Sequence, residues 1–173
     1  MFTDNEMQEL WQNRKGGARD NFIFHDLKCA HEAGHSTISN LLQPTIRTEF
    51  AFNEYGEPCV KTFGEIDFGD STEVKNCAMI CMAGYVAECL DFFGYSDTKT
   101  IRLVSVAIDN SENKTSDVEK ARFFIRGLRE VFNQKVTAKK IATETVALLK
   151  AHWKEFKKET AKSKAFFGQI KGV

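Results

Sequence analysis

Two histidines four residues apart act together only if the chain between them is helical. His31 and His35 stand at that spacing, in an H-E-x-x-H motif completed by Glu32. On a helix, positions i and i+4 share a face with their Cβ atoms about 5–6 Å apart. Two imidazoles so placed can hold one metal ion, and the glutamate then points at a water on that metal. Zinc suits such a site, because it bonds imidazole nitrogen at about 2.0–2.1 Å and keeps a fourth position for water when catalytic. The metal lowers the pKa of that water, and the glutamate takes its proton. The plain alternative is a pair of solvent-facing histidines beside a surface glutamate.

The surrounding residues support the helix. Leu27, Ala30, Gly34, Ile38, Leu41 and Leu42 recur at helical spacing. This predicts a helix from about Phe22 or His25 to Leu42, stopped by Pro44. Residues 46–52 then alternate and are rich in β-formers, and 53–58 read as a turn. Cys59 to Phe68 follow as one or two return strands broken near Gly64, giving a small antiparallel sheet. A second helix is expected from Ser71 or Thr72 to Phe93, closed by Gly94. Ile101 to Ile108 fit a strand or a short helix, and residues 109–114 a loop. Ser116-Asp117-Val118-Glu119 matches a capping box with Ser116 as N-cap, opening a third helix. A fourth is expected over Thr137 to Lys162, with His152 on its apolar stripe. The pairs Phe92-Phe93, Phe123-Phe124 and Phe166-Phe167 read as core.

These elements describe a mainly α, α+β chain. At 173 residues with 42% hydrophobic content it is long enough for one domain with a real core. Residues 1–20 are polar and broken by Gly16-Gly17, an N-terminal arm ahead of a domain over 21–173. Net charge is zero, which gives no overall pull on nucleic acid or membrane, although the ends differ. Residues 1–134 hold 14 Lys/Arg against 21 Asp/Glu, and 135–173 hold 10 lysines against 3 glutamates. The basic end lacks interleaved aromatics and reads as a solvated helix face. An odd count of five cysteines, with no export signal at the start, implies reduced thiols in the cytoplasm. Cys77 and Cys81 share an apolar face and read as buried free thiols rather than ligands. No apolar run is long enough to span a membrane.

A zinc centre of this kind needs a third protein ligand. Asp117 falls in the first turn of the third helix, where the helix dipole favours an anion. On the residues alone, an ordinary first-turn aspartate is the simpler reading. Glu88 lies near the apolar face of the second helix. A buried carboxylate is costly unless paired, so Glu88 is either paired near the centre or simply exposed.

Three segments, taken in order, carry a family resemblance. Cys29-Ala30-His31-Glu32-Ala33-Gly34-His35 resembles the A-x-H-E-A-G-H segment of the FtsH family of ATP-dependent zinc metalloproteases. Ala83-Gly84-Tyr85-Val86-Ala87-Glu88 resembles that family's A-G-R-x-A-E, and Thr115 to Ala121 resembles its S-N-D-[IL]-x-x-A. The resemblance covers roughly residues 22–160. It implies a zincin-like peptidase domain with His31, His35 and Asp117 as zinc ligands and Glu32 as general base. It also implies Glu88 as a carboxylate orienting a ligand histidine. Tyr85 replaces the family's arginine, and residues 94–115 are longer than usual. No G-x-x-x-x-G-K-[ST] and no membrane anchor occur in the chain, so ATP dependence, unfolding power and hexamer assembly are not carried over.

The expected activity is zinc-dependent hydrolysis of peptide bonds in unfolded or flexible polypeptides, alone or fed by a separate unfoldase or adaptor. A homo-oligomer is left open. Two other readings are a cytosolic zincin that cuts one specific partner, and a zinc-binding interaction domain without turnover.

Overall fold

The computed structural model describes residues 21–110, 113 and 115–168, so the expected N-terminal arm lies outside the described residues. Six α-helices and one hairpin make up the described fold. Helix α1 spans Asn21–Leu42, and the antiparallel strands β1 and β2 span Arg47–Phe52 and Pro58–Phe63. Helix α2, Ser71–Ala87, runs directly into a π-helical turn, Glu88–Phe92. Then come α3 (Asp97–Asp109), α4 (Ser116–Glu130), α5 (Ala138–Ala151) and α6 (Trp153–Gly168). No helix among the described residues is long and apolar enough to cross a membrane.

Helices α1 and α2 form the centre, and their contact is unusually close. A Cβ built on Gly34 would lie 2.4 Å from the carbonyl oxygen of Ala83 and 2.7 Å from Cβ of Ala87. Ala30 and Ala33 on α1 and Ala78, Ala83 and Ala87 on α2 are all buried. Small residues therefore let the two backbones approach, which brings any side chain on α1 against the backbone of α2. Helix α4 packs along α2, α5 joins α2 and α3, and α6 lies along α1. Val104, Val118, Leu128, Ile141, Leu149 and Phe156 fill the space between them.

The hairpin pairs Arg47 with Phe63 through Phe52 with Pro58. Its turn is held by the Asn53 side chain, which accepts from the backbone of Tyr55 and Glu57, and Gly56 supplies the left-handed φ of +74°. One return strand forms, ending before Gly64. Phe50 and Phe52 dock on Phe166 and Phe167, with ring centroids 5.3–6.4 Å apart.

Several boundaries differ from expectation. The second helix is α-helical only to Ala87. The π turn inserts there, and Gly94, at φ +61°, closes it. Residues 97–109 resolve as a helix. Thr115, not Ser116, is the N-cap of α4, and no side chain caps that helix, so the capping box does not form. Asp117 is consequently the second residue of the helix rather than the first. The expected fourth helix breaks at His152, whose φ and ψ of −113° and 33° leave the helical region. Beyond the break the chain turns to lie along α1, while α5 packs chiefly on α2 and α3. His152 is half-exposed rather than core. Of the three phenylalanine pairs only Phe167 is buried, whereas Phe123 is 62% and Phe166 39% exposed.

Candidate metal centre

One face of α1 carries His31 and His35 toward α2. The first turn of α4 brings Asp117 to the same point. Nε2 of His31 lies 3.0 Å from Nε2 of His35 and 3.2 Å from Oδ2 of Asp117, and His35 Nε2 is 3.4 Å from that oxygen. Among the described residues this is the one group of three His, Cys, Asp or Glu side chains suited to holding a metal ion.

The other nitrogen of each ring is already engaged. His31 Nδ1 donates to Glu88 Oε1 at 2.7 Å, and His35 Nδ1 donates to the carbonyl oxygen of Ile80 at 2.7 Å. Carboxylate and carbonyl oxygens accept only, so both Nδ1 atoms carry the proton. The Nε2 atoms of the neutral rings then face each other, and a carboxylate oxygen, with lone pairs. Such a triangle is repulsive unless a proton or a cation sits in it. Ligands at about 2.0–2.2 Å in a tetrahedron lie about 3.3 Å apart, which matches the three separations observed.

The charges point the same way. Burial opposes an imidazolium at His31, but the Glu88 carboxylate and the Asp117 hydrogen bond outweigh it and push the pKa to about 9. Burial alone would likewise raise the Asp117 carboxyl. The His35 ring and the His31 hydrogen bond instead hold it far below the usual carboxylate range. In the metal-free protein His31 thus contributes stability that is fully present below about pH 6.5 and lost as pH rises through about 9. A metal ion has to displace that proton. Metal uptake at pH 7 should therefore release about one proton per ion, read by calorimetry in buffers of different ionisation enthalpy. A release near zero would show that His31 is neutral beforehand.

Glu32, beside His31 on α1, is 6% exposed. Burial and then the charge of Glu32 push the Cys59 thiol up. Access to the triangle is from α4: the Asp117 side chain is 29% exposed against 6% for His31. Two surface clefts lie elsewhere, one between α3 and α4 and one among α1, β1 and α6. Cys77 and Cys81 are buried free thiols, as are Cys29 and Cys89. Burial and the Asp117 charge push Cys81 to about 12, the opposite of what a thiolate ligand requires.

Three contributors were missed as site residues. The Ile80 carbonyl orients His35 through the backbone, which no side-chain pattern can signal. The Tyr85 ring packs edge-on against His31 with centroids 5.1 Å apart. Gly84 leaves the room the rings occupy: a Cβ there would lie 2.6 Å from Cε1 and Nε2 of His31 and from Nε2 of His35. A glycine inside a helix costs about 1 kcal/mol relative to alanine and marks a close approach, so that signal was present.

The chain matches no protein-family model, and no curated protein is significantly similar to it in sequence.

Proposed function

We propose that the protein is a zinc-dependent peptidase acting on flexible or unfolded polypeptides. The observation that carries this reading is the Nε2–Nε2–Oδ2 triangle, with Glu32 directly following His31 in the H-E-x-x-H motif. Two imidazoles and one carboxylate are a borderline donor set in which zinc is at home, and three protein ligands leave a position open. Zinc held by His31, His35 and Asp117 supplies Lewis acidity toward a scissile carbonyl and an attacking water. Glu88 and the Ile80 carbonyl hold the two rings in the tautomer that offers Nε2. Glu32 accepts the proton of the water and returns it to the leaving amine. Strand β2 pairs only with β1 among the described residues, so an edge is left to which an extended substrate segment can add. Zinc storage alone does not need the base of the H-E-x-x-H motif, so the presence of Glu32 favours turnover over the interaction-domain reading. Five free thiols fit a reducing compartment such as the cytoplasm.

Metal analysis tests the centre. Purified protein should hold about one zinc per chain. Asp117→Ala should abolish tight binding, and Glu88→Ala should weaken it about 10–100-fold. Failure to take up added zinc would sink the assignment. The reverse ranking of the two variants would make Glu88 the ligand.

A further inference from the structure

Thr115 is the N-cap of α4, and threonine is a good capping residue, yet its hydroxyl gives the helix no cap bond. Its single hydroxyl proton goes to Asn113 Oδ1 at 3.2 Å. The Tyr85 hydroxyl, 2.7 Å away, therefore donates to Thr115 Oγ1. Asn113 is itself tied down, because Arg122 donates to its carbonyl at 2.7 Å and also to the carbonyls of Ile108 and Asn110 at the end of α3. The start of α4 is thus secured to α2 by a side-chain chain rather than to itself. Asp117 is two residues further on.

Tyr85 is 2% exposed, and it touches both halves of the centre. Its ring lies edge-on to His31, and its hydroxyl holds the cap of the helix that carries Asp117. We infer that Tyr85 is a positioning residue. Through Thr115 it fixes the distance between Asp117 and the two histidines, and so sets the affinity and geometry of the metal site. The inference rests on the metal-centre reading. Neither ligand spacing alone nor helix packing requires a hydroxyl at this position, since a phenylalanine ring would fill the same space.

The test compares Tyr85→Phe, Thr115→Val, the double variant and Thr115→Ser in the full chain. Zinc affinity is measured by chelator competition, and the cobalt-loaded proteins give visible absorption spectra. Each hydroxyl deletion should weaken zinc by about 10-fold and alter the cobalt spectrum. The double variant should be no weaker than either single one, and Thr115→Ser should bind as wild type. Folded variants that bind zinc as wild type does, losing only melting temperature, would overturn the inference. Hydrogen exchange over residues 115–121 in the metal-free protein separates this from failure of the metal reading. If wild type binds no zinc, faster exchange there in Tyr85→Phe still supports the positioning role, and unchanged exchange rejects it.

Discussion

Glu32→Gln should lower peptide hydrolysis by about 10²–10⁴-fold and leave zinc content unchanged. Glutamine has nearly the same shape but no basic oxygen, so it deletes the proton acceptor and spares the ligands. Those ligands do not lean on Glu32: His31 is oriented by Glu88 and His35 by the Ile80 carbonyl, each at 2.7 Å. The assay substrate should be an unstructured chain such as casein. Opening a folded protein of about 5–15 kcal/mol stability needs work, and these 173 residues contain no nucleotide-binding motif to supply it. ATP should accordingly make no difference, and a stable folded protein should stay intact. Cleavage persisting in Glu32→Gln would point to a contaminant or to a different base. Zinc-loaded wild type that cuts nothing in a broad peptide library would move the reading toward a binding domain. A single cut in one partner protein would instead favour the partner-specific alternative.

The legibility of this chain in its sequence was uneven, for physical reasons. The spacing of His31 and His35 fixes a helix face by geometry alone, and α1 forms as that spacing demands. The hairpin was equally plain, because alternation and a turn opened by Asn53 and closed by Gly56 are local signals. Helix α3 was ambiguous because Ile101, Val104, Val106 and Ile108 are β-branched and near-alternating. Tertiary packing decided it: Thr100, Leu103, Val104, Ala107 and Ile108 are buried at helical spacing, while Val106 is 55% exposed. The capping box failed because Thr115 takes the N-cap place and its hydroxyl is drawn to Asn113 and Tyr85. Asn113 is only two residues away, but the pull of Tyr85 acts across 30 residues of sequence, and no local pattern encodes it. Adjacent phenylalanines point about 100° apart on a helix, so both rings can reach Phe50 and Phe52 while only one of them also turns inside. Phe167 is inside and Phe166 half outside for that reason. The convergence of Asp117 on the two histidines was expected from family resemblance, not from the residues themselves. It depends on α2 and α4 packing side by side, which periodicity does not specify.

Gly84→Ala should eliminate zinc binding, although alanine is the better helix former by about 1 kcal/mol. The added Cβ would sit 2.6 Å from three ring atoms, two of them the Nε2 nitrogens that face Asp117. Contacts that short force something to move. The rings are not free to swing away, since each is anchored at Nδ1 by a bond of 2.7 Å. Moving them breaks those bonds, and moving α2 breaks the close α1 contact at Gly34, where a Cβ would already lie 2.4 Å from the Ala83 carbonyl. Either route costs stability, about 1–3 kcal/mol for overpacking of this kind, and both pull the donor triangle apart. Gly127→Ala is the control. Its Cβ would meet only Val74 Cγ1, at 3.9 Å, so it should fold at least as stably as wild type and keep its zinc. Zinc content, chelator competition and thermal melting of the two variants decide the matter. Wild-type zinc affinity in Gly84→Ala would mean that the rings yield easily. The glycine would then serve helix packing alone, and the preorganisation argued for His31 and His35 would have to be abandoned.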